Sequence, residues 1–236
     1  LGLIGAGSMH PEVLRQHIRK CRAATDLPFG VNIPLMYPQI EEVMNIVVEE
    51  GVKIVFTSAG NPKTWTGWLK ERGITVVHVV SSSKFAVKSE EAGVDAIVAE
   101  GFEAGGHNGR EETTTFCLVP AVRRATTLPL IAAGGIATGE GILAAKERGK
   151  MLSCILAAMV LGAEGVQIGT RFALTYESSA SDVFKEYCLR LNEGDTKLLL
   201  KKLAPTRLVT NSFRDAVEAA EDRGASAEEL RELLGR

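Results

Sequence analysis

One of the four histidines stands where an imidazole can do chemistry. His107 follows Gly105 and Gly106 and precedes Asn108 and Gly109, so the backbone around it can lie close over a flat ligand. An imidazole in such a loop serves near neutral pH as base, acid or hydrogen-bond donor. His10 and His17 fall on or beside a polar helical stretch and read as solvated, while His78 sits inside an apolar run and reads as packed or hydrogen-bonded. Two glycine loops, Gly134-Gly135-Ile136 and Gln167-Ile168-Gly169-Thr170, offer backbone amides and one hydroxyl to an anion, and a phosphate held that way needs no lysine. No H-x-x-x-H or H-E-x-x-H spacing supports a metal site, and neither a G-x-S-x-G turn nor a cysteine beside these loops supplies an acyl-enzyme nucleophile. A phosphate site with so little protein-borne chemistry points to an organic cofactor that brings its own.

The elements that must position these residues repeat along the chain. Seven β-rich runs, at 1–4, 29–33, 53–57, 75–80, 95–99, 129–133 and 165–168, are apolar on both parities, as strands covered on both faces are. Gly51, Gly73, Gly93 and Gly162 precede four of them at helix-ending positions, and T-x-L-P at 25–28 and 126–129 precedes two more. Helical spacing fills the intervals, as at 38–50, 62–72 and 84–92. The pattern predicts an α/β fold, a (β/α)8 TIM barrel whose first strand is missing from a chain that opens abruptly at Leu1. An open doubly wound sheet is the alternative, and Gly5-Ala6-Gly7-Ser8-Met9-His10 supplies only two of the three glycines that it requires.

The barrel and its cofactor site are expected within 1–172. A C-terminal helical region, 173–236, is expected to pack on the barrel rim, with helices at 181–191, 195–203 and 211–224 and a capping box at Ser226–Glu229. Residues 142–145 recur as 155–158, and 146–154 read as a tolerated surface insertion.

A chain of 236 residues with 45 % apolar residues and a net charge of −2 can bury one large core or two small ones. It lacks the basic surplus of a protein built for nucleic acid or an anionic membrane. Cys21, Cys117, Cys154 and Cys188 are scattered, which reads as reduced thiols in a cytoplasmic protein. The longest largely apolar stretch, 152–163, is too short to span a bilayer.

Six ordered motifs resemble the nitronate monooxygenase (2-nitropropane dioxygenase) family. They are Gly2-Leu3-Ile4-Gly5-Ala6-Gly7, Pro28-Phe29-Gly30-Val31-Asn32, Thr57-Ser58-Ala59-Gly60-Asn61-Pro62, Ala99-Glu100-Gly101-Phe102-Glu103-Ala104-Gly105-Gly106-His107, Ala132-Ala133-Gly134-Gly135-Ile136 and Gln167-Ile168-Gly169-Thr170-Arg171-Phe172. The fourth is most similar to the flavin-dependent enoyl-acyl-carrier-protein reductase II branch. The resemblance implies a (β/α)8 barrel holding FMN noncovalently. It implies flavin contacts at Asn32, Glu100, Gly105, Gly135, Gln167, Gly169 and Thr170, with Gly134 beside them in the phosphate loop and His107 near the reactive edge of the ring.

Two chemistries follow from the resemblance. In one, NAD(P)H reduces an enoyl chain on an acyl carrier protein through FMN. In the other, an alkyl nitronate is oxidised with O2. A non-catalytic flavin-binding barrel is a third class. The partner expected is a small-molecule or carrier-linked substrate, with no nucleic acid and no membrane, and a homodimer is compatible with the sequence. An acidic carrier would want a basic rim, for which Arg15, Arg19, Lys20 and Arg22, or Lys201, Lys202 and Arg207, are the candidates.

Overall fold

The computed structural model describes residues 1–137 and 154–235. In chain order its strands and helices are β1 (Gly2–Gly5), α1 (Pro11–Ala24), β2 (Phe29–Pro34), α2 (Ile40–Glu49), β3 (Ile54–Ser58), α3 (Thr66–Lys70), β4 (Thr75–Val80), α4 (Ser83–Glu91), β5 (Ala96–Glu100) and β6 (Gly106–His107). Then come α5 (Thr115–Ala125), β7 (Leu130–Ala133), α6 (Cys154–Val160), β8 (Gly165–Gln167), α7 (Thr170–Ala173), α8 (Asp182–Leu189), β9 (Thr196–Leu199), β10 (Thr206–Val209), α9 (Ser212–Asp222) and α10 (Ala227–Leu233). Seven parallel strands lie side by side in sequence order, β1-β2-β3-β4-β5-β7-β8, the topology of a TIM-barrel-like α/β fold. They coincide with the seven β-rich runs. The glycines expected to end helices do so: Gly51, Gly73, Gly93 and Gly162 all take positive φ, from 65° to 105°. The repeat at 142–145 and the 146–154 insertion up to residue 153 lie outside the described residues, while residue 154 and the repeat at 155–158 fall within α6. Among the described residues, no helix is long and apolar enough to cross a membrane.

The chain divides into two compact units, Leu1–Ala99 with Val122–Ile131, and Glu100–Ala121 with Ala132–Arg236. In the first, Leu14 and Ile18 of α1, one helical turn apart, are fully buried, as are Met44 and Val47 of α2, Leu69 of α3 and the strand residues Val31, Ile33, Val55, Val76 and Ile97. Burial of this kind contributes roughly 1.5–3 kcal/mol per large side chain. Glu50, just after α2, draws three arginines of α1 onto one carboxylate: Arg15 at 3.0 Å, Arg19 at 2.7 Å and Arg22 at 3.7 Å. The Arg19 and Arg15 guanidiniums hold the Glu50 carboxyl below the usual carboxylate range. Three of the four charges in the first candidate docking cluster are therefore engaged within the fold. His78 is buried and bonds the Thr57 hydroxyl at 2.7 Å, as expected of a strand histidine.

The second unit departs from expectation. Residues 195–203 are not a helix: they contain β9, which pairs antiparallel with β10, and β10 pairs in turn with β6. The reason is tertiary. Leu199 and Leu200 pack with Val217 and Ala220 of α9, with Ala225 of the following loop and with Leu230 of α10 in a buried cluster. The Glu221 carboxylate then accepts the backbone amides of Leu200 at 3.0 Å and Lys201 at 3.1 Å, satisfying the turn that leaves β9. The capping box at Ser226 and Glu229 forms as read.

Candidate functional site

All the candidate catalytic and cofactor-binding residues except Asn32 belong to the second unit. Asn32 lies on β2 of the first, where its amide donates to the Phe56 carbonyl at 3.2 Å and meets the Ser58 hydroxyl at 3.4 Å.

The segment between β5 and α5 is the hub of the second unit. Its residue Glu103 turns its carboxylate to the first residue of α5, accepting the Thr115 amide at 2.9 and 3.1 Å. A carboxylate at a helix N-terminus satisfies an orphan amide and complements the helix dipole. The Thr115 hydroxyl has one proton and three acceptors in reach: the Gly134 carbonyl at 2.8 Å, Glu103 at 3.1 Å and the Ala133 carbonyl at 3.2 Å. It thereby ties the end of β5, the start of α5 and the end of β7.

Glycine is required where these segments meet. A Cβ on Gly134 would lie 2.6 Å from the Gly101 carbonyl oxygen, and one on Gly135 would lie 3.1 Å from the Glu103 Cβ. Both glycines take positive φ, 95° and 67°. A Cβ on Gly105 would be 3.1 Å from the Thr170 hydroxyl, whereas Gly169 faces open space. Both glycine loops therefore border the same 101–105 stretch. Gly134 owes its identity to backbone packing, and Gly169 leaves its surface open.

Three polar groups remain available. Glu100, at the end of β5, is partly buried, and burial pushes its carboxyl up from 4.5 to about 7. The Gln167 side-chain oxygen, at the end of β8, is buried and has no hydrogen-bond partner among the described residues. The His107 side chain is exposed, and its backbone is the last residue of β6, paired with Thr206 of β10.

Sequence reasoning missed Thr115, the α5 role of Glu103, and the internal bond of Arg207, which it offered as a docking cation. Arg207 points inward rather than outward: its guanidinium donates twice to the Phe102 carbonyl, at 2.8 and 3.1 Å. Lys201 pairs with Glu112 at 2.6 Å, and Lys202 donates to the carbonyls of Gly224 and Ala225. The second candidate docking cluster is also engaged internally. Among the described residues, no group of three or more His, Cys, Asp or Glu is placed to hold a metal ion.

Comparison with known proteins adds the lineage. The chain is 33 % identical over 261 residues to a probable nitronate monooxygenase of Staphylococcus saprophyticus, covering 90 % of this chain and 69 % of that protein. It is 32 % identical to a (3aS,4S,5R,7aS)-5-hydroxy-7a-methyl-1-oxo-octahydro-1H-indene-4-carboxyl-CoA dehydrogenase of Rhodococcus jostii, covering 95 % of this chain but 59 % of that relative's length. The solved structure of FabK from Thermotoga maritima superposes with a TM-score of 0.86 at 41 % identity, covering 98 % of this chain and 70 % of the other. Residues 1–235 match the description Nitronate monooxygenase, and with the seven-strand topology this establishes that the chain belongs to the nitronate monooxygenase family of oxidoreductases.

Proposed function

We propose that the chain binds FMN and acts as an NAD(P)H-dependent enoyl-acyl-carrier-protein reductase. The observation that carries the flavin is the Gln167 oxygen, a buried acceptor without a partner among the described residues, which suits a ring N–H donor. Just after it in sequence are the open surface of Gly169 and the Thr170 hydroxyl, and the positive-φ pair Gly134-Gly135, which borders the same 101–105 stretch, has amides that suit a phosphate. Gly105 and Glu100, of the same unit, complete the set of residues that would hold the group. Residues 1–172 are the flavin-binding part, and residues 173–236 contribute β9 and β10.

Bound there, FMN would supply hydride transfer between a pyridine nucleotide and the β-carbon of a thioester-linked enoyl chain. His107 would orient the thioester carbonyl through an imidazole N–H or deliver the proton that the α-carbon takes up. A carboxyl such as Glu100, with its pKa raised to about 7, can hold a proton near the working pH. Support for a thioester comes from the wording of the Ala99–His107 motif and from the relative named as a carboxyl-CoA dehydrogenase. The substrate partner is a carrier-linked or small-molecule thioester, the location cytoplasmic, and the assembly a homodimer.

The second reading, oxidation of an alkyl nitronate with O2, is favoured by the relative named as a probable nitronate monooxygenase. The purified flavin-loaded protein separates the two. NADH and NADPH oxidation is followed anaerobically with a crotonyl thioester, and oxygen uptake is then followed with a nitronate. Thioester-dependent oxidation without oxygen supports the reductase. Nitronate-dependent oxygen uptake with no thioester turnover assigns the chain to the second chemistry.

A further inference from the structure

We propose that Arg207 is a positioning residue that holds the His107 segment in its working geometry. The inference rests on His107 acting at the flavin, as proposed above.

The segment has little geometry of its own. Gly105, Gly106 and Gly109 surround His107, and glycine loses more backbone freedom on ordering than any other residue. Order must be imposed from outside, and the C-terminal strands impose it at close intervals. Phe102 donates its amide to Thr113 at 3.0 Å and gives its carbonyl to two N–H groups of Arg207. The guanidinium also lies 5.3 Å from the centre of the Phe102 ring, within cation–π range. In the β6–β10 pairing, Gly106 faces Arg207 and His107 faces Thr206. The Asn108 amide donates to the Pro205 carbonyl at 2.7 Å, and its side chain donates to the carbonyls of Ala104 and Gly106, both at 2.9 Å. Arg110 then donates to the Lys201 and Leu203 carbonyls, at 3.2 and 2.8 Å.

Within this set Arg207 acts twice, through its backbone beside His107 and through its side chain at the entry to the loop. Apart from the Asn108 side chain, which bonds within the loop itself, the other links are backbone pairings or lie beyond His107. The forked, planar guanidinium bonds the carbonyl and meets the ring together, which a lysine ammonium cannot reproduce.

The test uses the flavin-loaded protein with Arg207→Gln, Arg207→Lys and His107→Ala. Three quantities are measured: the imidazole proton resonances of the four histidines, amide exchange across residues 102–110, and turnover per bound flavin. In Arg207→Gln the His107 resonances are expected to move while those of His10, His17 and His78 stay. Exchange across 102–110 is expected to quicken about tenfold, and turnover per flavin to fall about 10- to 100-fold. Arg207→Lys should lie between wild type and Gln, and it carries the same comparison should the Gln variant lose its fold. Unchanged His107 resonances and unchanged exchange overturn the proposal, even if the melting temperature drops. If His107→Ala keeps normal turnover per flavin, the catalytic reading of His107 fails, while resonance and exchange still decide the role of Arg207.

Discussion

Gly134 and Gly101 meet backbone to backbone, so closely that a Cβ on Gly134 would stand 2.6 Å from the Gly101 carbonyl oxygen. Gly134→Ala should therefore act on the fold first. The positive φ and the backbone clash together should cost about 2–5 kcal/mol, read as a lower midpoint in urea. A variant within about 0.5 kcal/mol of wild type would show that the two segments can separate without penalty.

Glu103 and Thr115 should behave as a coupled pair. Glu103→Ala and Thr115→Val each remove a partner at the start of α5, a loss of about 0.5–2 kcal/mol apiece. The double variant should cost less than the two singles added, because each single already breaks the shared bond. Strict additivity in a double-mutant cycle would mean that the two side chains act independently.

Glu100 gives stability a pH dependence of definite sign. The folded protein holds this proton up to about pH 7, whereas the carboxyl's ordinary value is 4.5. Between those values the unfolded chain binds fewer protons, so the Glu100 contribution is fullest below pH 4.5 and is lost as pH rises through 7. Glu100→Gln should gain on wild type between pH 5 and pH 8 in flavin-free thermal melts. His78, which burial lowers to about 4, titrates with the opposite sign and cancels in the comparison. An equal melting difference at both pH values would contradict a raised Glu100.

His107→Ala should keep the fold and the bound flavin, because the residues proposed to hold the phosphate, Gly134, Gly135, Gly169 and Thr170, lie elsewhere in the sequence. Turnover per bound flavin should fall roughly two to four orders of magnitude if the imidazole transfers a proton. Flavin occupancy and rate must be read on one preparation. Lost flavin with an unchanged rate per flavin would make His107 structural.

The parallel strands were legible because they announce themselves locally: all seven are apolar on both parities, and six are preceded by a glycine or a proline that ends a helix. Strand β9 was not legible, because Lys197, Leu198, Leu199 and Leu200 are sound helix formers, and only pairing with β10 and packing on α9 override that preference. Strand β6, two residues in a glycine-rich run, has no periodicity to read. His107 and the glycine loops stood out by residue type. Arg207 did not, because a sequence displays a charge without its partner, and an exposed docking cation and an inward-turned one are spelled alike.

The Phe102–Arg207 bond also orders events in time. Its partners lie 105 residues apart, among the longest-range side-chain bonds in the chain. Contacts of such separation close late in folding, after local βα units have formed. During synthesis, Arg207 leaves the ribosome roughly 5–20 s after Phe102. Until then the His107 segment has no strand to pair with, so the nascent protein builds its parallel strands before it acquires an ordered histidine loop.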